Sequence, residues 1–177
     1  MDEQVRRALL RWPDVPAVYG WLRLDARGDW RLRTGVEGRF ETIGNAALRE
    51  FIARNYESDA RGRWYFQNGP QRVFVRLDCT PLVYRLGPGG LQDHCGRDAG
   101  AVSQGWLDDA GGLLLRATRG VGLLDDRDLE AASRTLLGGG DAGAPWLAPA
   151  PGVRLPLGAI RRAELAARFG FDPDPGP

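Results

Sequence analysis

The residues best suited to binding a ligand lie in one hairpin of this sequence. Between Arg61 and Arg76, arginine, amide and aromatic side chains surround an Asn-Gly turn. Neighbouring strand residues point to opposite faces, so the candidate binding residues are those of one face and its turn: Arg63, Tyr65, Gln67, Asn68, Arg72 and Phe74. Such groups together suit an anion, a nucleotide, an acidic peptide or single-stranded nucleic acid. The alternative is a polar sheet face that only meets water.

Two expectations follow for the geometry of this hairpin. Asn68-Gly69 can supply the two positive-φ residues of a tight type I′ turn, which the sequence therefore predicts. If the face binds a ligand, Arg63, Tyr65, Gln67 and Arg72 should line a concave surface that both halves of the chain share.

The candidates for nucleophilic catalysis are Cys79 and His94. An imidazole within hydrogen-bond reach of a thiol can generate a thiolate, as a hydrolase or transferase would require. Adjacent strand residues point apart, so His94 would pair with Cys79 rather than with Cys95. No local signature of a cysteine enzyme surrounds them, and the alternative is a buried Cys79 and a loop histidine. We expect no catalysis, and the dyad stays open as the enzyme hypothesis.

Other motifs predict neither a metal site nor a cofactor. The spacing of Cys, His and acidic residues matches no zinc or calcium pattern. Asp125 and Asp126 open a predicted helix, where negative charge is favourable, so we expect a solvated cap. Neither Gly87 to Gly90 nor Gly138 to Gly140 has the context of a phosphate loop. The chain has no Lys, which excludes a Schiff-base lysine and a Walker lysine.

The elements that position these residues occur twice along the chain. Residues 1–88 contain an N-terminal helix and then strands around one helix; residues 89–177 repeat that order and close with a short helix. The matching features are Gly20-Trp21-Leu22 with Gly105-Trp106-Leu107, Gly28 with Gly111, Leu32-Arg33 with Leu115-Arg116, and the spacing Ile43 to Leu48 with Leu124 to Leu129. The sequence predicts an α+β fold of two tandem pseudo-repeats, each of antiparallel strands with one packed helix, plus an N-terminal helix.

Three segments are expected to be irregular. Gly87 to Gly90 is interpreted as a linker or a loose loop, residues 138–151 as a Gly/Ala/Pro-rich connection, and residues 172–177 as a fraying end. Neither half could bury its apolar face alone, so we expect one compact unit.

Charge and composition limit the partners. The 24 basic and 23 acidic residues leave a net charge of +1, which is not the field of a nucleic-acid or anionic-membrane binder. No apolar run approaches the roughly 18 residues that span a bilayer. An acidic N-terminus and two cysteines indicate a cytoplasmic protein. We expect a small anionic ligand or a protein partner; a homo-oligomer formed through apolar surface at Trp12, Trp30 or Trp146 is the alternative.

The run RGRWYFQNGPQRVFV, residues 61–75, resembles a family of uncharacterised proteobacterial proteins known only as a domain of unknown function. The match extends to Trp21, Asn55-Tyr56, Leu123 to Asp126 and Ala167 to Gly170. Residues 29–83 are more distantly similar to another uncharacterised bacterial family with duplicated α+β motifs. That second resemblance implies a signalling role by analogy of fold alone. Together these observations predict a non-catalytic binding or regulatory module.

Overall fold

The chain forms two compact units. The computed structural model describes residues 1–34, 38–138 and 145–177. The first unit comprises Met1–Pro81 with Phe169–Pro177, and the second comprises Leu82–Arg168. The boundary predicted between residues 88 and 89 falls one strand later than this division. The predicted α+β class with an N-terminal helix is confirmed. Within the described residues, no helix is long and apolar enough to cross a membrane.

The first unit is a six-stranded sheet with two helices. Its helices are α1 (Glu3–Arg11) and α2 (Ala46–Arg54). Its strands are β1 (Val18–Leu24), β2 (Trp30–Thr34), β3 (Arg39–Thr42), β4 (Tyr56–Ser58), β5 (Trp64–Asn68) and β6 (Gln71–Leu77). They lie in the order β3-β2-β1-β6-β5-β4. The central pair, β1 and β6, is parallel and the other neighbours are antiparallel.

The second unit is an eight-stranded sheet with the order β12-β13-β14-β9-β10-β11-β7-β8. Its strands are β7 (Leu82–Gly87), β8 (Gly90–Asp93), β9 (Val102–Asp108), β10 (Leu113–Ala117), β11 (Gly120–Leu124), β12 (Leu137–Gly138), β13 (Trp146–Ala150) and β14 (Val153–Ile160). Its helices are α3 (Leu129–Thr135) and α4 (Leu165–Phe169), whose last residue belongs to the first unit. Each is preceded by a 3₁₀ turn (Asp126–Asp128 and Arg162–Glu164). Without β7 and β8 the strand order is that of the first sheet, including a central parallel pair, β9 and β14.

The structure corrects two predicted irregular segments here. Gly87 pairs with Gly90 across a tight turn between β7 and β8, so this run is a hairpin and not a linker. Strand β13 lies inside the connection predicted as irregular. Residues 139–144, which hold two of the three glycines weighed as a phosphate loop, lie outside the described residues.

Four hairpin turns share one Asp-x-x-Gly design. In each, the first carboxylate oxygen accepts the backbone N–H groups two and four residues later, and the glycine N–H donates to the aspartate C=O. The second carboxylate oxygen accepts an arginine guanidinium. The aspartates are Asp25, Asp59, Asp93 and Asp108, with glycines Gly28, Gly62, Gly96 and Gly111 at φ between 74° and 81°. Glycine adopts this left-handed conformation without steric cost.

These turns also fix which positions of the two sheets correspond. Asp25 corresponds to Asp108. The segment of the first sheet that is equivalent to Gly105-Trp106-Leu107 is therefore Leu22-Arg23-Leu24. The predicted match with Gly20-Trp21-Leu22 is therefore displaced by two residues. The environments differ accordingly, because Trp21 is 55% exposed and Trp106 is buried.

The helices and the C-terminus complete the first unit. Asn45 caps α2 and accepts the Leu48 N–H at 3.1 Å. In α1 only Val5 is buried, whereas Leu10 and the following Trp12 are exposed.

The C-terminal residues are bonded to this unit, so the expected fraying is wrong. The Leu77 N–H donates to the Pro173 C=O at 2.8 Å, and the Asp172 N–H donates to the Gly62 C=O at 3.0 Å.

Candidate ligand-binding pocket

The hairpin of β5 and β6 forms with a different turn from the predicted one. Asn68 pairs with Gln71, which leaves Gly69 and Pro70 as the two loop residues. Gly69 has a φ of 57°, and no described residue other than glycine has a positive φ. This is the pattern of a type II′ turn, in which only the first loop residue has a positive φ. The type I′ prediction was wrong because Pro70 fixes its own φ near −65° and takes the second loop position.

A pocket of about 270 Å³ lies on the predicted face of this hairpin. Four predicted residues line it: Arg63, Gln67, Arg72 and Phe74. The rest of its lining comes from the N-terminal segment, β1 and the hairpin turn: Leu9, Pro13, Val15, Ala17, Tyr19 and Pro70. We call this cavity the hairpin pocket. All of these residues belong to the first unit, whereas the sequence predicted a surface shared by both halves.

Aromatic rings and guanidinium groups alternate across the pocket face. The Tyr19 and Phe74 rings are stacked, with centroids 4.8 Å apart and planes 8° from parallel. Arg63 lies over the Phe74 ring at 4.5 Å from its centroid. Arg72 lies over the Tyr65 ring at 4.0 Å. An aromatic face attracts a guanidinium cation, so the Phe74 and Tyr65 rings help to hold these two arginines at the pocket.

The charge of Arg63 is partly engaged. Its Nε and Nη2 donate to Asp59 Oδ2 at 2.9 and 2.8 Å, within one of the Asp-x-x-Gly turns. The hydrogen bond to Asp59 raises the pKa of Arg63, with a smaller contribution from Tyr19. Burial acts to raise the pKa of Asp59, but the hydrogen bonds from Arg63 and Arg61 outweigh it and lower that pKa. Arg63 is thus held in place at the edge of the pocket.

Arg72 differs from Arg63 in its partners. Among residues 1–34, 38–138 and 145–177, no carboxylate forms an ion pair with Arg72, and its described contact is the Tyr65 ring. Tyr65 itself is buried. Burial raises the pKa of the Tyr65 hydroxyl, and the charge of Arg72 opposes that shift. Within the described part of the chain, Arg72 is therefore a cation without a carboxylate counterion in the wall of a cavity.

Gln67 is the buried polar residue of the pocket. Its residue exposure is 0%, and its Nε2 donates to the Gly69 C=O at 3.0 Å. Its backbone N–H donates to the Asn55 C=O at 2.9 Å, which fixes β5 to the end of α2. Gln67 Oε1 is buried and accepts no hydrogen bond from any described residue. Buried polar groups are normally paired, so this oxygen needs an explanation.

The structure does not bring every predicted residue into the pocket. Asn68 lies on the other face of the hairpin, where it lines a separate apolar cavity of about 230 Å³ with Trp21 and Leu32. Alternation along β5 explains this, because Gln67 and Asn68 must point to opposite sides. Tyr65 contributes as the ring beneath Arg72.

Sequence reasoning missed the residues opposite the hairpin, above all Tyr19. It stacks on Phe74 because β1 pairs with β6 in parallel, between strands distant in sequence. No local pattern indicates that pairing.

The cysteine and histidine candidates lie in different units. Cys79 is in the loop between β6 and β7, in the first unit, and His94 is in the Asp93 turn of the second. His94 Nδ1 accepts the Val83 N–H at 3.3 Å. Burial lowers the pKa of His94 to about 4, and burial raises the pKa of Cys95 to about 12. The Cys79–His94 dyad stays a prediction.

The acidic helix start in the second unit is a cap, as predicted, but its capping carboxylate is not solvated. Asp125 is fully buried and accepts the Arg127 N–H and guanidinium, with Arg85 3.4 Å away. In the described part of the chain, no three metal-binding side chains converge. Of the tryptophans proposed for an apolar surface, Trp30 is buried and Trp12 is 51% exposed. Trp146 is half-buried beneath Arg154.

Comparisons with known proteins give a fold but no activity. A family model described as "Protein of unknown function (DUF2946)" matches residues 1–176. A DUF1285 family protein from Silicibacter pomeroyi DSS-3 is similar over 84% of this chain and 85% of its own, with a TM-score of 0.52 and 19% identity. A DUF1285 family protein from Shewanella baltica OS155 covers 62% of this chain and 87% of its own, with a TM-score of 0.42 and 18% identity. No curated protein matches.

Proposed function

The chain belongs to the family described as "Protein of unknown function (DUF2946)"; we propose from its geometry that it is a non-catalytic binding module whose hairpin pocket holds a small anionic ligand. The observation that carries the proposal is Arg72, which lies in the pocket lining and has no carboxylate partner among the described residues. A guanidinium presents a planar set of donors that matches carboxylate and phosphate groups.

The remaining lining supports a ligand with an apolar portion next to its anionic group. Tyr19 and Phe74 provide a stacked aromatic wall, and Leu9 and Pro13 provide an aliphatic one. Pockets for drug-sized ligands measure about 300 to 1,000 Å³. At about 270 Å³ the hairpin pocket suits a molecule of metabolite size.

The second unit offers a matched control for Arg72. Arg154 of β14 lies over the Trp146 ring at 4.5 Å. Strand registers place Trp146 at the position of Tyr65 and Arg154 at the position of Arg72. Both arginines lack an ion pair within the described residues, so Arg154→Ala removes the same side chain from the same sheet position.

Isothermal titration with a panel of glutarate, glutamate, inorganic phosphate and AMP tests the proposal. At least one of these anions should bind, and Arg72→Ala should weaken it about tenfold to 100-fold, because a charge-assisted hydrogen bond is lost. Arg154→Ala should leave the affinity unchanged. Binding that is lost with Arg154→Ala and retained with Arg72→Ala would move the site to the second unit. No binding of any panel member by the wild-type protein would contradict the proposal.

A further inference from the structure

Building on the proposed function, we infer that the ligand of the hairpin pocket carries an N–H or O–H donor next to its anionic group, as an α-amino acid does, and that Gln67 Oε1 accepts it. The inference depends on a separate observation from the one that identified Arg72. Gln67 Oε1 is a buried acceptor without a hydrogen bond from the described residues, and its side chain lines the pocket.

The orientation of the Gln67 amide is fixed by its surroundings. Its Nε2 donates to the Gly69 C=O at 3.0 Å. Rotating the amide by 180° would place Oε1 against that carbonyl oxygen, and two acceptors repel each other. Oε1 is therefore the atom that needs a donor. Leaving such a group buried and unpaired is costly, so a ligand that supplies a donor gains affinity.

The spacing of Gln67 and Arg72 sets the spacing of the ligand groups. The two residues are direct cross-strand partners in β5 and β6, and such side chains start about 4.5–5.5 Å apart. A cationic donor set and a neutral acceptor thus lie side by side on one face. In an α-amino acid the carboxylate and the ammonium are attached to one carbon, which suits adjacent protein groups of these two kinds.

Access to Gln67 Oε1 requires a side chain to move. The oxygen has less than 1 Å² of exposed surface. Arg72 is the adjacent side chain on the same face, and it is held by an aromatic ring alone among its described contacts. When Arg72 leaves the Tyr65 ring to bind the anionic group, the space next to Gln67 opens. The anion and the donor would therefore be bound together.

The experiment compares three wild-type titrations that differ in one ligand group. The probes are glutarate, which has no donor, glutamate, which adds an N–H donor, and 2-hydroxyglutarate, which adds an O–H donor. Glutamate or 2-hydroxyglutarate should bind at least about tenfold more tightly than glutarate. Gln67→Met, which has a similar shape but no amide, should remove that difference, whereas Arg72→Ala should weaken all three ligands.

The outcomes separate this inference from the proposed function. Equal affinity of wild-type protein for the three probes, with all three still dependent on Arg72, would overturn the inference and leave the proposed function standing. No binding by any probe, nor by phosphate or AMP, would overturn both. A crystal structure with the best probe, showing an ordered water and no ligand atom on Gln67 Oε1, would overturn the inference even if Gln67→Met does not fold.

Discussion

The two units use one strand order to build different surfaces. Each has a central parallel pair of strands, β1 with β6 or β9 with β14. Each also places an arginine over an aromatic ring on one hairpin, which is β5–β6 in the first unit and β13–β14 in the second. The correspondence extends to single hydrogen bonds. The Gln67 N–H donates to the Asn55 C=O, and the Ala148 N–H donates to the Leu136 C=O. Ala148 is therefore the second unit's counterpart of Gln67.

The side chains at corresponding positions explain why only one unit has the proposed site. Gln67 is replaced by Ala148 and Phe74 by Pro156. The cavity beside Arg154 measures about 510 Å³, and proline, alanine and glycine make up half of its lining, which has no second arginine among the described residues. The arginine–aromatic pair recurs in both units, so by itself it is a feature of sheet packing. The site that we propose differs from it by the additional acceptor, Gln67 Oε1, and by the N-terminal segment in its lining.

The largest effect tests what the units share, the Asp-x-x-Gly turns. Asp25→Ala and Asp108→Ala should each lower the free energy of unfolding by about 3 kcal/mol, because buried N–H groups and an arginine lose their acceptor. Both aspartates are 8% exposed; Asp25 forms an ion pair with Arg31, and Asp108 forms one with Arg162. Urea unfolding measures the change, and Asp14→Ala, at an exposed position, is the control. If only one of the two aspartate variants lost stability, the two turns would not be equivalent.

The next largest effect is a pH dependence of stability that arises from the second unit. His94 is the only histidine, and burial, opposed by Asp93, lowers its pKa to about 4. The imidazole of the unfolded chain has the ordinary pKa of 6.5. At pH values between 4 and 6.5 the unfolded chain therefore binds more protons than the folded chain. Stability should therefore fall by about 2.5 kcal/mol as the pH drops from 6.5 toward 4. The imidazole resonances in an NMR titration should show no inflection near pH 6.5, and a midpoint there would refute the expectation.

The smallest effect tests whether the two arginines are equal in packing. Arg72→Ala and Arg154→Ala each remove one cation–π contact, so each should lower stability by about 0.5–1 kcal/mol. Thermal unfolding in the absence of ligand measures both. If Arg72→Ala instead raised the stability, the charge of Arg72 would be destabilising in the free protein. The two units would then already differ in the energetic effect of this arginine without any ligand.

The local features of the chain were predictable because they depend on neighbouring residues. Period-two alternation gave the β5–β6 hairpin. Asparagine is a preferred N-cap residue, and Asn45 caps α2. Within the hairpin, alternation correctly placed Arg63, Gln67 and Arg72 on one face.

The exposure of those residues could not be predicted in the same way. A polar face that meets water and one that lines a cavity have the same sequence pattern. Only the packing of residues 9–19 opposite the hairpin distinguishes them. Likewise, the Gly-Trp-Leu identity suggested a correspondence that the Asp25 and Asp108 turns displace by two residues.

The sequence by itself determined the secondary structure of the first unit's hairpin and helices, its candidate arginines and their shared face, since these follow from short-range geometry. The tertiary structure decided three things: the parallel pairing of β1 with β6, the stacking of Tyr19 on Phe74, and the burial of Gln67 Oε1 without a described partner. Each depends on contacts between residues far apart in the chain. Local preferences do not encode such contacts, because they form only when the apolar faces are buried together.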